Sequence, residues 1–316
     1  VGLALLVPAC IGRPEGAYRP LDESFDDATG FIADAGVDSD AGPRAGLPTT
    51  GGIIGDADAA DLTPEQRALL PLTGRYALRA DMFSVVKLDQ LFAQLEVENT
   101  ATHLSVAEVS LNPQTGKLQM TERLCYQRYA HRCIAGCSTW SSEMDARVTA
   151  FFPYTEHVIE VAGERFSSDL ALTALGYDGS PFEMPAGKSD ARVWNVSGDD
   201  GVREGVMTRI VAEGTPVGTV DCVVYSVQRF ATAFEGTLSS GKLDGVVASL
   251  DTTGSDARRL GAAGPNASSC EGDAAAAQPG TAPSTLRFAR IPMDTFSDEA
   301  FWSCPSELEL EATLRP

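Results

Sequence analysis

The chain predicts an all-β fold, an antiparallel barrel or sandwich of about ten strands with a short C-terminal helix. Three observations lead there. Apolar residues recur with a period of two over most of the chain beyond Leu72, the pattern of strands with one buried and one wet face. Turn residues punctuate the runs at strand-like intervals. Helical periodicity is scarce and confined to two short stretches.

The elements follow in chain order. Thr63-Pro-Glu-Gln-Arg-Ala-Leu-Leu70 reads as one short helix, with Thr63 as cap and Pro64 at its first position. Tyr76, Leu78, Ala80 and Met82 then alternate with Arg75, Arg79 and Asp81, and Leu91, Ala93, Leu95 and Val97 with Phe92, Gln94, Glu96 and Glu98. A strand over 101–111 meets Asn112-Pro-Gln-Thr-Gly116, a hairpin loop. Leu118, Met120, Leu124 and Tyr126 alternate with Gln119, Thr121, Arg123 and Gln127. Glu122 falls on the apolar face of that run, where an acid can meet a ligand, pair with an arginine or sit at a barrel mouth. Further strands are expected over 146–152, 156–162, 205–212, 217–235, 242–250 and 285–291, with Ser239-Ser-Gly241 as a tight connection. Ser297-Asp-Glu-Ala-Phe-Trp302 has a serine cap, acids in its first turn and Pro305 as a stop, and predicts the C-terminal helix. Leu308, Leu310, Ala312 and Leu314 alternate with Glu307, Glu309, Glu311 and Thr313 as a last strand. Tyr126, Phe151, Phe152, Val223, Val227, Phe230 and Phe288 are the expected core.

The N-terminus reads differently. Val1-Gly-Leu-Ala-Leu-Leu-Val-Pro-Ala-Cys10 has the character of a signal-peptide apolar region running into a lipobox, with Cys10 the residue to be lipidated. Val stands three positions before the cysteine and Pro two before, a departure from the usual box. Residues 11–70 carry twelve acidic and four basic residues, including Asp34, Asp38, Asp40, Asp56, Asp58 and Asp61. Such a segment buries too little apolar surface to offset chain entropy and is expected to be a disordered, self-repelling tether. The expected organisation is a truncated signal over 1–10, the tether over 11–70 and one disulfide-bonded β domain over 71–316. Ile11, which is not the Asp of inner-membrane retention, favours the outer membrane.

The formal net charge of −20 excludes a nucleic-acid surface, which needs a basic stripe to neutralise phosphates. It equally disfavours a polybasic lipid patch. The expected partners are the membrane, through a lipid anchor, and a small apolar ligand or an envelope protein.

Apart from Cys10 there are six cysteines: Cys125, Cys133, Cys137, Cys222, Cys270 and Cys304. In an exported chain they read as a disulfide framework. Three lie in 125–137 and three in 222–304, so complete pairing requires at least one bridge between the groups. The expected pairs are Cys270–Cys304, Cys125–Cys222 and Cys133–Cys137. The rival reading is a zinc site of Cys125, His131, Cys133 and Cys137, whose spacing matches no paired-ligand motif.

No catalytic signature survives inspection. His103, His131 and His157 stand singly, and there is no nucleophile elbow, metalloprotease helix or Ser-x-x-Lys pair. Gly187-Lys188-Ser189 lacks the earlier glycine of a phosphate loop, Phe182 standing there. A calcium loop from Asn195 would need Gly and Glu where Asp200 and Val206 stand. No catalytic residue, metal or cofactor is therefore assigned. The expected function is a membrane-tethered envelope lipoprotein with a non-catalytic β domain for binding or envelope-structural work. The alternative is an envelope hydrolase using paired carboxylates.

The order of features resembles one known group. Lipobox cysteine, Asp/Ala/Gly spacer, Leu-Thr-Gly-Arg-Tyr-Ala-Leu-Arg (72–79), Leu-Thr-Ala-Leu-Gly (172–176), Arg-Val-Trp-Asn-Val-Ser-Gly-Asp-Asp-Gly (192–201) and Tyr225-Ser-Val-Gln-Arg-Phe230 are similar to uncharacterised exported lipoproteins of the myxobacterial type. The resemblance implies an address and an architecture. It brings no activity with it.

Overall fold

Three long strands linked by hairpins carry the alternation of the first half of the chain. They are β1 (Gly74–Gln90), β2 (Ala93–Asn112) and β3 (Lys117–Cys133). The computed structural model describes residues 52–53, 59–90, 93–133, 139–144, 152, 154–178, 183–196, 203–215, 218–252, 256–265, 267–269, 278–279 and 283–315. Cys10, Phe151, most of the expected 146–152 strand and most of the expected tether lie outside these. The remaining strands are β4 (Thr139–Met144), β5 (Tyr154–Ala162), β6 (Arg165–Ser168), β7 (Ala171–Leu175), β8 (Val206–Thr215), β9 (Gly218–Thr237), β10 (Val247–Asp251), β11 (Asp256–Ala263), β12 (Gln278–Pro279) and β13 (Thr285–Ile291). All belong to one antiparallel sheet of 13 strands, as the period of two predicts.

The sheet closes. Pairings run β10–β13–β1–β2–β3, then β3–β5, β5–β6, β6–β9 and β9–β10, which returns to the start. The long strands outrun this ring and exchange neighbours along their length. β3 pairs β5 over 118–123 and β4 over 128–132. β9 meets β6, β7 and β8 in turn along one edge, and β10 and β11 along the other. β6 and β7 escape a period-two search because they are only 4 and 5 residues long.

Inside the closed ring, alternate residues of each strand meet in one cluster. Tyr76 and Leu78, Ala107 and Val109, Leu118 and Met120, Ile159, Phe166, Phe234, Leu250, Leu286 and Phe288 are all buried there. Phe166, Phe234 and Phe288 interlock edge to face, with centroids 5.8–6.3 Å apart. Each such side chain contributes roughly 1.5–3 kcal/mol through burial alone. Phe152, Val223, Val227 and Phe288 are buried, as expected, while Phe230 is partly open.

The packed chain reaches back past the boundary expected at residue 71. Helix α1 (Pro64–Leu69) has the expected Thr63 cap and Pro64, and a full capping box, because Gln66 also accepts from the Thr63 amide. Leu62 is buried in the barrel cluster, with Leu69 and Leu70 against it. Ile53 bridges Leu111.

The C-terminus corrects a second expectation. Helix α2 (Asp298–Trp302) begins under Ser297 as predicted, but residues 307–314 form helix α3 (Glu307–Leu314) instead of a strand. A period of two contains a period of four. Leu310 and Leu314 share one buried face, Leu308 is 74% exposed, and Ser306 with Glu309 forms a capping box. The cap selects helix.

β3 contains one residue too many. Leu104 pairs Tyr126 and Ser105 pairs Leu124, leaving Cys125 unpaired in a bulge. Before it, Leu118, Met120, Glu122 and Leu124 face the lumen; after it, Gln127 and Tyr129 do. Cys125 and Tyr126 both turn outward, so Tyr126 belongs to the outer wall and not to the lumen where its phase with Leu124 put it. There Cys125 bridges Cys304, and the Tyr126 hydroxyl donates to Pro305 O at 3.1 Å.

Candidate functional site

Pairing across the closed sheet decides which polar side chains meet. His103 of β2 is in phase with Ala101, Ser105 and Ala107. Glu122 of β3 lies opposite Ala107, and Thr155 and His157 of β5 lie opposite Glu122 and Met120. Thr173 of β7 and Phe230, Thr232 and Phe234 of β9 complete the circle. Together with Ala80, Met82, Leu124, Leu250 and Leu286 they line a cavity of about 30 Å³. That is room for about two waters.

The cavity's polar groups are one carboxylate, two imidazoles and three threonine hydroxyls. His157 Nε2 lies 3.6 Å from Glu122 Oε2, with the histidine side chain 1% and the glutamate 21% exposed. That separation exceeds a hydrogen bond, and neither ring nitrogen of His157 has a hydrogen-bond partner. His157 and Ser105 are the side chains that interact with the Glu122 carboxylate. Thr155 and Thr173 hydroxyls are 2.8 Å apart. No arginine or lysine is among the lining residues.

Electrostatics separates His103 from Glu122. Burial lowers His103 to about 4, so the ring is neutral at physiological pH. Gln127 Nε2 lies 2.6 Å from His103 Nε2. Burial pushes the Glu122 carboxyl up, but the neighbouring His157 and the Ser105 hydroxyl outweigh it and the net shift is downward. Glu122 is thus an ionised carboxylate inside the barrel. Above it a chain of amides and hydroxyls spans the lumen: Gln127 contacts Tyr129, Tyr129 OH donates to Gln228 at 3.3 Å, and Gln228 donates to Ser226 at 3.2 Å.

A second buried charge cluster lies outside the wall, under the C-terminal helices. Arg75 Nε donates to Glu108 Oε2 at 3.1 Å with both side chains 2% exposed. The same guanidinium bonds Asp298 of α2 and lies 4.6 Å over the Phe301 ring. Arg128 reaches Glu307 and Glu311 of α3.

The cysteines confirm the crossing between the two groups but correct the pairing. Cys125 bonds Cys304, so neither Cys125–Cys222 nor Cys270–Cys304 forms, and Cys125 is withdrawn from the zinc alternative. Cys222 is also disulfide-bonded, to a sulfur outside the described side chains. Cys137 and Cys270 lie outside the described residues, as do the side chains of Cys133 and His131. Among the described residues no group of three His, Cys, Asp or Glu is placed to hold a metal ion by itself.

Sequence reading found Glu122 on the lumen face but treated His103 and His157 as solitary. Their phase was legible: His103 alternates with Ala101, Ser105 and Ala107, and His157 with Ile159 and Val161. What one strand at a time cannot show is that β2, β3 and β5 are neighbours. No protein-family model, curated protein or solved structure matches this chain.

Proposed function

We propose that the protein is a membrane-tethered lipoprotein of the bacterial cell envelope, lipidated at Cys10, whose β domain does non-catalytic binding or structural work. The observation that carries the non-catalytic part is the lumen. Part of it is filled by interlocked aromatic rings, and the cavity beside Glu122 holds about two waters. An organic substrate does not fit that cavity. The alternative hydrolase needs two carboxyl groups facing each other about 5–10 Å apart, whereas the cavity has one carboxylate, Glu122. The other deeply buried glutamate of β2, Glu108, lies on the opposite side of the wall against Arg75.

The envelope part rests on the lipobox-like run into Cys10 followed by the acidic spacer, a pairing that lets a folded domain stand off a bilayer. Among the described residues no helix is long and apolar enough to cross a membrane. Acyl chains on Cys10 supply an anchor instead, two or more being needed for stable attachment. The test is detergent-phase partitioning of the protein expressed from its full reading frame. Wild type should enter the detergent phase and Cys10→Ala the aqueous phase. Equal partitioning of the two would remove the anchor.

A further inference from the structure

Cys222 of β9 is buried and disulfide-bonded, and its partner follows from where the other sulfurs can stand. Cys125 is taken by Cys304, which leaves Cys133, Cys137 and Cys270 in the β domain. A disulfide holds its two Cα atoms about 4.4–6.8 Å apart, less than two strand spacings. The register of the sheet therefore decides.

Cys133 is too far away. Cys222 stands opposite Ile210 of β8, Ile210 opposite Ser142 of β4, and Ser142 opposite Tyr129 of β3. Three strand spacings, and the run from Tyr129 to Cys133 along β3, put the two Cα atoms about 20 Å apart along the sheet. Cys137 belongs to the connection from Cys133 to Thr139. Both ends of that connection have β8 between them and β9.

Cys270 follows an element on the other edge of β9. There β11 runs alongside, with Ala263 opposite Val223. Gly264 comes next, and a Cβ on it would stand 3.4 Å from Cys222 Cα. Gly264 takes a φ of 105°, and Ala267 N donates to Gly264 O at 3.2 Å, so the chain turns at this point. Ala267–Ser269 forms one turn of 3-10 helix packed against β9 and β11. Cys270 is the next residue in the chain.

We propose that Cys222 and Cys270 form a second disulfide of the β domain, on the opposite edge of β9 from β8. Bond formation joins the two Sγ atoms. The two thiols give up two protons and two electrons to a disulfide-bearing oxidant, which leaves as its dithiol. The bridge fastens the connection from β11 to β12 at the point where it departs from β9. The same connection then crosses to β1, where Gln278 pairs Val85 and Pro279 pairs Ser84. Only the supply of oxidant rests on the envelope reading; the choice of partner rests on the sheet.

The test is a disulfide map of the folded protein, alkylated without reduction and digested with trypsin at mildly acidic pH to suppress thiol exchange. Fragment 210–229, which holds Cys222, should appear only joined to fragment 260–287, which holds Cys270, and the two should separate on reduction. Cys222→Ser should expose one alkylatable thiol in 260–287, and Cys270→Ser one in 210–229. Refolding with glutathione disulfide should give the same pair, so that a host compartment lacking the oxidant is told apart from a wrong assignment. Fragment 133–147 joined to 210–229 would overturn the proposal. So would an alkylated Cys222 after oxidative refolding, or a new thiol in 133–147 in the Cys222→Ser protein. If the variants fail to fold, the wild-type map decides.

Discussion

Glu108 and Glu122 stand on adjacent strands, point to opposite sides of the same wall, and are stabilised by different means. Glu108 faces outward under α2, where burial raises its carboxyl and the Arg75 guanidinium opposes that shift. Arg75 is itself held by Asp298 and by the Phe301 ring, so the pair ties β1, β2 and α2 into one clasp. Glu122 faces inward, its net shift is downward, and its nearest titratable partner stands at 3.6 Å with spare nitrogens. The outer carboxylate is paired with a guanidinium that other side chains hold in place, and the inner one stands beside a single imidazole. A buried carboxylate is thus informative about function only when its partners are counted.

On that contrast, damage at the clasp should cost more stability than the loss of the Glu122 charge. The largest effect is expected from the bridge that fastens the clasp. Cys125 and Cys304 are 179 residues apart, and chain entropy assigns such a bridge about 5 kcal/mol as an upper figure. Cys125→Ala with Cys304→Ala should therefore lower urea-unfolding stability by about 3–5 kcal/mol. A loss below about 1 kcal/mol would mean that packing of Trp302 and Leu310 alone holds the helices.

Next comes Arg75→Met, which leaves Glu108 buried without its cation and should cost about 3–5 kcal/mol. Adding Glu108→Gln to it should return much of that loss. Failure of the second change to rescue the first would show that Arg75 acts through Asp298 and Phe301 instead.

A pH titration separates the two faces by sign. His103 is lowered from 6.5 to about 4, so the native state binds fewer protons than the unfolded one between those values. Its contribution is whole above pH 6.5 and disappears as pH falls towards 4, up to about 3 kcal/mol in all. His103→Gln should flatten that part of the stability curve. Glu108, raised on folding, has the opposite slope: stability from this group grows as pH falls through its titration. Glu108→Gln should therefore steepen the acid loss relative to wild type, and parallel curves for all three proteins would erase the distinction.

The smallest effect belongs to Glu122→Gln. Removing a charge that lacks a hydrogen-bonded cation should change stability by no more than about 1 kcal/mol in either direction. A loss as large as that of Arg75→Met would make Glu122 a structural residue like Glu108.

Much of this architecture was legible residue by residue. Asn112 to Gly116 announced its hairpin because Asn112 caps the turn through its side chain and Gly116 takes a φ of 69°, a conformation that favours glycine. Ser297 announced α2 in the same way. The misreading of 307–314 arose because alternating Leu and Glu satisfies strand and helix alike, and only Ser306 with Glu309 breaks the tie. The candidate site was half legible. Glu122 broke the apolar pattern of β3 and was visible, whereas His103 and His157 acquire meaning only from strand adjacency, which a single sequence does not state. The Cys125–Cys304 bridge was hidden for a related reason: Cys125 reaches the outer wall only because β3 carries an extra residue.

That extra residue works like punctuation in a message read two letters at a time. Upstream of Cys125 the odd positions of β3 speak to the outer wall and the even ones to the lumen; downstream the assignment is exchanged. Closing the gap by deleting one residue would transpose everything beyond it, turning Gln127 and Tyr129 out to water and Arg128 in towards the rings. Conserving the composition of this strand would not conserve its sense. The spacing between Glu122 and Gln127, five residues where an uninterrupted strand would need four or six to place both inside, is therefore the quantity that any redesign of the barrel has to keep.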